Sequence, residues 1–238
     1  MEYLYETHVH TSESSACGHS SAVSQVRAYK ERGYTGIIIT DHFVHHSLKH
    51  IPLPWKSRMK ILMRGYTAAQ KEGKRCGLDV FLGWEFTDYS DDSRGSDFLT
   101  YGLDMQFLLK HPNLDKSTIE QYSKIVRGAG GYLAQAHPYR DRAYIYKKEP
   151  VSPELIDGIE VYNVANSNNE NKMALDFAVK HNLPKQSGSD SHGVNMKFCS
   201  GISLKSRAES IFDIIEAIKN DTSSLILPDY LKAEGWGL

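Results

Sequence analysis

The sequence predicts an α/β fold in which parallel strands close into a TIM-like barrel, and three observations lead there. Short apolar, β-branched runs alternate with longer stretches of helical spacing along the whole chain, the pattern of successive βαβ units. One run, Gly36-Ile37-Ile38-Ile39-Thr40, is apolar almost throughout, as a parallel strand covered on both faces requires. Finally, His8, His42, Glu85, His137 and Asp190 all fall at or just after the C-terminal ends of expected strands, the rim on which such barrels build their sites. An open doubly wound sheet is the alternative, but its crevice draws on only a few strands.

The first strand, Tyr3 to Thr11, sets His8 and His10 two residues apart and so on one face of an extended segment. Gly18 to Ser21 reads as a loop and helix entry, followed by apolar residues at helical spacing from Ala22 to Arg32 with Gly33 as the stop. The next strand delivers Asp41 and His42. His45, His46 and His50 lie in a polar excursion interrupted by Pro52 and Pro54, a poor frame for fixed ligand geometry, and are expected on the surface. A helix is expected from Lys56 to Arg75, then a strand from Asp79 to Thr87 carrying Glu85 among bulky apolar neighbours, where a carboxylate is costly unless paired or metal-bound. Asp88 to Gly95 reads as a loop over the site mouth, and Asp97 to Leu103 as the next strand. A helix from Ser117 to Arg127, a strand from Gly131 to Ala136 ending in His137-Pro138-Tyr139-Arg140, a strand from Gly158 to Asn163 and a helix from Glu170 to His181 follow. The stretch from Pro184 to Ser187 leads into Gly188-Ser189-Asp190-Ser191-His192, and a helix from Glu209 to Lys219 with the apolar Ser224 to Leu227 closes the chain.

A chain of 238 residues with 40% hydrophobic residues can bury a full core, and residues 1–238 are expected to form one domain. Lys and Arg number 28 against 29 Asp and Glu, so no net field favours nucleic acid or an anionic membrane. Cys17, Cys76 and Cys199 show no paired spacing; they are expected as buried small residues in a reducing compartment. The N-terminal segment has neither the basic nor the apolar region of a secretory leader, and no apolar run reaches spanning length, so a cytoplasmic protein is expected.

Imidazoles and carboxylates without thiolate suit zinc, manganese or iron. There are more candidate ligands at strand ends than one ion can use, which favours a cluster of two or three divalent ions. Such clusters suit hydrolysis of phosphate esters. Arg140, just past a ligand strand, is positioned to clamp a phosphate; Asp41 is expected to orient a ligand histidine, and Glu160 and Asn163 either line the pocket or make structural hydrogen bonds.

In order, the chain carries His-Val-His, Ile-Thr-Asp-His, Gly-Trp-Glu, Ala-His-Pro-Tyr-Arg, Gly-Ile-Glu-Val-Tyr-Asn and Gly-Ser-Asp-Ser-His. Together these motifs resemble the PHP (polymerase and histidinol phosphatase) family of metal-dependent phosphoesterases over nearly the whole chain. The resemblance implies a distorted seven-stranded (β/α) barrel with up to three metals at its C-terminal rim. It implies that His8, His10, Glu85 and Asp190 hold one ion, that Glu85 bridges to a second held also by His137, and that His42 and His192 hold a third. Asp97 stands where many members have a histidine on the fourth strand; a carboxylate can serve there, and Asp97 is expected as a metal ligand. After the His-x-His, where many members have Asp or His, this chain has Ser15 and Ala16, leaving Glu13 or His19 for the third ion. Glu85, Arg140, Asp190 and His192 are the residues expected at the chemistry.

Two function classes follow. One is a phosphatase or phosphodiesterase acting on a small phosphorylated metabolite or a nucleotide; histidinol phosphate and other phosphomonoesters all fit. The other is a regulatory or binding domain without turnover. A metal hydrolase of a non-phosphate bond is a third reading.

Overall fold

The computed structural model describes the chain apart from residues 1, 44–52, 90–94, 144, 146–147, 234–235 and 237–238. Its strands are β1 (Tyr3–Val9), β2 (Gly36–Ile39), β3 (Asp79–Asp88), β4 (Ser96–Tyr101), β5 (Tyr132–Gln135), β6 (Gly158–Asn163), β7 (Lys185–Gly188), β8 (Ile202–Leu204) and β9 (Ser224–Leu225). They form a nine-stranded sheet in the order β7-β6-β5-β4-β3-β2-β1-β8-β9.

The expected all-parallel, seven-stranded barrel is corrected in two ways. First, β4 runs antiparallel to both β3 and β5. The few residues between Asp88 and Ser96 cannot carry the helix that a parallel crossover needs, so the chain simply turns back. Second, β8 and β9 extend the sheet. β8 pairs antiparallel with the N-terminal half of β1, through Tyr3, Leu4 and Tyr5. The C-terminal half of β1 is left for the segment after β7: His10 N donates to Ser191 O at 2.9 Å, and Ser191 N to His8 O at 3.1 Å. One edge of β1 is thus shared, and the barrel is nearly closed at the end where the site lies.

The described helices are α1 (Ala22–Glu31), α2 (Trp55–Cys76), α3 (Met105–Lys110), α4 (Ile119–Gly128), α5 (Asn168–His181), α6 (Ile211–Lys219) and α7 (Asp229–Ala233). Their boundaries follow local chemistry. The Ser21 side chain caps α1; Thr118 with Gln121 and Ser167 with Glu170 form capping boxes at α4 and α5; and Gly77, at φ 73°, ends α2 in the left-handed conformation. The strand β8 and the short helices α3 and α7 lack a strong periodic signal and go unread in the sequence.

Alternation along the strands divides the core. Trp84 and Phe86 of β3 face outward onto α4, where Phe86 stacks on Tyr122 at 3.8 Å between ring centroids. Tyr5, Ile38, Leu99, Tyr101 and Ile202 pack together on the other face and plug the barrel below the rim. Val9, Ile37 and Ile39 pack against Val26 and Tyr29 of α1. Among the described residues no helix is long and apolar enough to cross a membrane.

Candidate metal centre

The His-x-His pair points inward because β1 is bulged. Tyr5 pairs with Gly36 and Glu6 with Ile37, but Val9 pairs with Ile39, so β1 carries one residue more than β2 over this stretch. Without the extra residue, His8 and His10 would share the outward face of Glu6, which receives the Tyr29 hydroxyl of α1 at 3.0 Å. The bulge turns them in. It also strips ladder partners from Thr7 N and His8 N, and Glu6 Oε1 accepts from both at 3.0 Å. The same carboxylate accepts from Ser189 N at 2.9 Å and from the Ser189 hydroxyl, tying the bulge to the turn that carries Asp190.

The other ligand-type residues arrive from separate strands. His42 continues β2 beside Glu85, with Phe43 N donating to Glu85 O at 2.6 Å. Asp97 sits near the start of β4 and reaches the same rim only because β4 is reversed. His137 and Asp190 follow β5 and β7 with left-handed backbones, φ 30° and 51°, a strain that accumulates at functional sites. Gly188 must be glycine: a Cβ there would lie 2.5 Å from Glu160 Oε1 and 2.8 Å from the His8 Cβ.

With His192, two residues past Asp190, these make eight side chains in overlapping clusters: His8, His10 and Glu85; Glu85, Asp97 and His137; His8, His137 and Asp190; and His10, His42 and His192. His8 Nε2 lies 3.1 Å from His10 Nε2, 3.4 Å from Glu85 Oε1 and 3.5 Å from Asp190 Oδ1. His10 Nε2 lies 3.3 Å from both Glu85 Oε2 and Asp190 Oδ1, His42 Nδ1 3.0 Å from Glu85 Oε2, and His137 Nε2 3.1 Å from Glu85 Oε1. Ligands about 2.1 Å from one ion stand about 3.0–3.4 Å from each other, so this crowding has the scale of coordination polyhedra. Glu85 Oε2 is buried and makes no well-formed hydrogen bond, which leaves an acceptor turned into the cluster. The donor set therefore fits divalent ions.

Charge is balanced inside the site. Burial alone would raise Glu85, but His42 and His8 beside it hold its carboxyl well below the usual range. Asp190 is likewise held down against burial by His8 and Arg140, whereas Asp97, desolvated and next to Glu85, is pushed up. Burial opposes a charge on His8, yet Asp190, Glu85 and Glu160 lift it well above the imidazole range; burial and the neighbouring His42 lower His10 to about 4. Glu160 has a defined place: its Oε1 is 3.2 Å from His8 Nδ1 and its Oε2 accepts from His137 N at 2.8 Å. A carboxylate on Nδ1 turns the Nε2 lone pair of His8 toward a metal.

Several expected residues lie elsewhere. Glu13 does not join the cluster; its carboxylate accepts from Ala22 N at 2.9 and 3.1 Å, at the first turn of α1. His19 is exposed and contributes its backbone N to His192 O at 2.6 Å. Arg140 is buried at the edge of the cluster, with Nε on Asn166 and its terminal nitrogens on Asp190 (2.7 Å) and Asn163 (2.8 Å), so it braces the Asp190 carboxylate. Asp41 braces the loop after β1, accepting from Thr11 N, the Thr11 hydroxyl and the Ser15 hydroxyl at 2.6–2.7 Å. Cys17, Cys76 and Cys199 are half-buried. His45, His46 and His50 lie outside the described residues, as does most of the Asp88 to Gly95 loop. Glu6 carries no signal of this role in the sequence beyond its place two positions before His8.

No family model matches the chain, and no curated protein matches it. Solved structures do match. A two-domain protein from Bacteroides vulgatus containing a predicted PHP-like metal-dependent phosphoesterase superposes with a TM-score of 0.71 at 16% identity, covering 95% of this chain and 65% of that one, so the present chain spans about two-thirds of its length. A candidate metal-dependent phosphoesterase from Bifidobacterium adolescentis matches at TM-score 0.59 and 16% identity, over 90% of this chain and 94% of that one. An amidohydrolase from Chromobacterium violaceum, with sulfate bound and no metal, matches at TM-score 0.59 and 15% identity, over 90% and 96%. The likeness is one of fold: this chain shares its fold with a structure described as containing a predicted PHP-like metal-dependent phosphoesterase and with one described as a candidate metal-dependent phosphoesterase.

Proposed function

We propose that this chain is a metal-dependent hydrolase of phosphate esters, acting on a small phosphorylated metabolite or a nucleotide. The observation that carries the proposal is Glu85, fully buried, with both carboxylate oxygens within 3.4 Å of ring nitrogens from His8, His10, His42 and His137. His8, His10, Glu85 and Asp190 would hold one ion, Glu85, Asp97 and His137 a second, and His42 and His192 a third. When bound, the ions supply Lewis acidity toward the phosphoryl oxygens and the attacking water. The protein's own part is positioning: Glu160 orients His8, Arg140 fixes Asp190, and the Glu6 bulge presents both histidines. His42 and His192 are the ligand-type side chains most open to solvent, 22% and 28% exposed, so substrate enters over them.

The test is a panel of phosphomonoesters and diesters assayed with manganese, zinc and iron, alongside elemental analysis. Metal-dependent release of phosphate or alcohol, abolished with metal binding in Glu85→Gln, is the expected result. A full metal complement with no turnover of any ester would favour a binding role. The likeness to a structure named as an amidohydrolase keeps hydrolysis of an amide bond as the second reading; turnover of amides alone would select it.

A further inference from the structure

Ser15, in the loop between β1 and α1, is buried beside two histidines of the metal centre. Its hydroxyl oxygen lies 2.6 Å from Asp41 Oδ1, 3.1 Å from His42 N and 3.4 Å from His10 Nδ1. A hydroxyl has one proton and two lone pairs. The proton goes to the Asp41 carboxylate, the shortest of the three contacts and a group that accepts, while the backbone N of His42 can only donate. What remains for His10 is the second lone pair, so His10 Nδ1 carries the ring proton and donates it to Ser15.

That assignment decides what the other ring nitrogen can do. His10 Nε2 faces His8 Nε2 at 3.1 Å and both Glu85 Oε2 and Asp190 Oδ1 at 3.3 Å. With the proton on Nδ1, Nε2 presents a lone pair into this cluster; the opposite tautomer would place a proton where an ion has to bind. Asp41 is held in its turn. Its Oδ1 also accepts from Thr11 N and its Oδ2 from the Thr11 hydroxyl, both at 2.7 Å. The helix α2 closes over these groups at Gly65, where a Cβ would collide with Thr11 Oγ1 and Asp41 Oδ2, and Gly65 N donates to the Ser14 hydroxyl at 2.9 Å.

We propose that Ser15 is a positioning residue of the metal centre, spending its proton on Asp41 so that it holds His10 as the Nδ1–H tautomer and seats the backbone of His42. Asp41 thus acts on a ligand histidine through Ser15. The proposal rests on the metal-centre reading above, and the experiment separates the two.

The full chain, isotope-labelled at its histidine nitrogens and stripped with chelator, is examined near neutral pH by long-range proton–nitrogen correlation NMR, which reads the tautomer of each neutral ring. The His10 signals are those lost in His10→Gln. The expected wild-type ring has Nδ1 protonated and Nε2 bare; Ser15→Ala should shift it toward the Nε2–H form, and Ser15→Thr, which keeps the hydroxyl, should restore it. Zinc affinity should fall about 10- to 100-fold in Ser15→Ala, the usual cost of losing a hydrogen bond that orients a ligand, and recover in Ser15→Thr. If Ser15→Ala does not fold, Ser15→Cys, a weaker acceptor, is read in the same way. An Nε2–H tautomer in the wild type, or a folded variant in which either the tautomer or the zinc affinity is unchanged, would overturn the role. A wild-type chain that takes up no zinc would overturn the metal-centre reading, and the tautomers of the metal-free proteins would still decide the role of Ser15.

Discussion

Asp97 and Thr87 face each other across the antiparallel ladder of β3 and β4, and the Thr87 hydroxyl donates to Asp97 Oδ1 at 2.5 Å. That bond leaves Asp97 Oδ2 free to turn toward His137 Nε2, 3.7 Å away. Two carboxylates, Asp97 and Glu85, are thereby brought to one histidine, an arrangement that is costly without a cation. Asp97→Ala is expected to remove the ion shared by Glu85 and His137. Thr87→Val should keep it with affinity about 10- to 100-fold weaker, the usual cost of losing a hydrogen bond that orients a ligand. Metal titration followed by elemental analysis reads both; equal affinity in Thr87→Val would show that the hydroxyl does not orient Asp97.

The difference between what could and could not be read in advance is local. His8, His42, Glu85, His137, Asp190 and His192 were legible because each motif sits at the end of an apolar strand, and strand ends meet at a barrel rim. Asp97 was legible only through the resemblance, because it stands at a strand start; the antiparallel β4 is what brings that start to the rim. Glu13 looked like a ligand by its place after His10, but an acidic group near the first amides of a helix has a competing partner in the backbone. The bulge in β1, the left-handed backbones at His137 and Asp190 and the commitment of Arg140 to Asp190 arise from contacts between segments far apart in sequence. No single-segment pattern encodes them.

The bulge predicts a pH effect in the metal-free protein. Burial pushes the Glu6 carboxyl up to about 7, from an ordinary 4.5. Between those values the native chain binds the proton more tightly than the unfolded chain. The contribution is therefore fully present below about pH 4.5 and is lost as pH rises through about 7. The upper bound is on the order of 3 kcal/mol. Glu6→Gln keeps an acceptor for Thr7 N, His8 N and Ser189 N and cannot ionise, so its denaturation midpoints should change less between pH 5 and pH 8 than those of wild type in the presence of chelator. Parallel curves for the two proteins would refute the assignment.

Glu13 offers a clean separation of structure from metal binding. Its carboxylate satisfies the first amide of α1 and complements the positive end of the helix. Glu13→Ala should lower stability by about 1 kcal/mol, in the range of lost helix-terminal acceptors, with the bound metals unchanged in number. Loss of one ion in this variant, without a matching loss of stability, would return Glu13 to the metal.

Arg140 distinguishes a phosphate clamp from a scaffold for Asp190. Its guanidinium is buried, spreads over Asn166, Asp190 and Asn163, and contacts the Asp190 oxygen opposite the one facing His8 and His10. Lysine has one ammonium and cannot reproduce that fork. Arg140→Lys should therefore loosen the ion held by His8, His10 and Asp190 by about 10- to 100-fold. At saturating metal, kcat should recover toward wild type while KM for the phosphate ester changes little. A direct clamp gives the reverse: metal affinity unchanged, and a KM that rises and stays high however much metal is supplied. Metal-dependent rates of Arg140→Lys, fitted at several substrate concentrations, tell the two apart because positioning acts through the ion and clamping acts through the substrate.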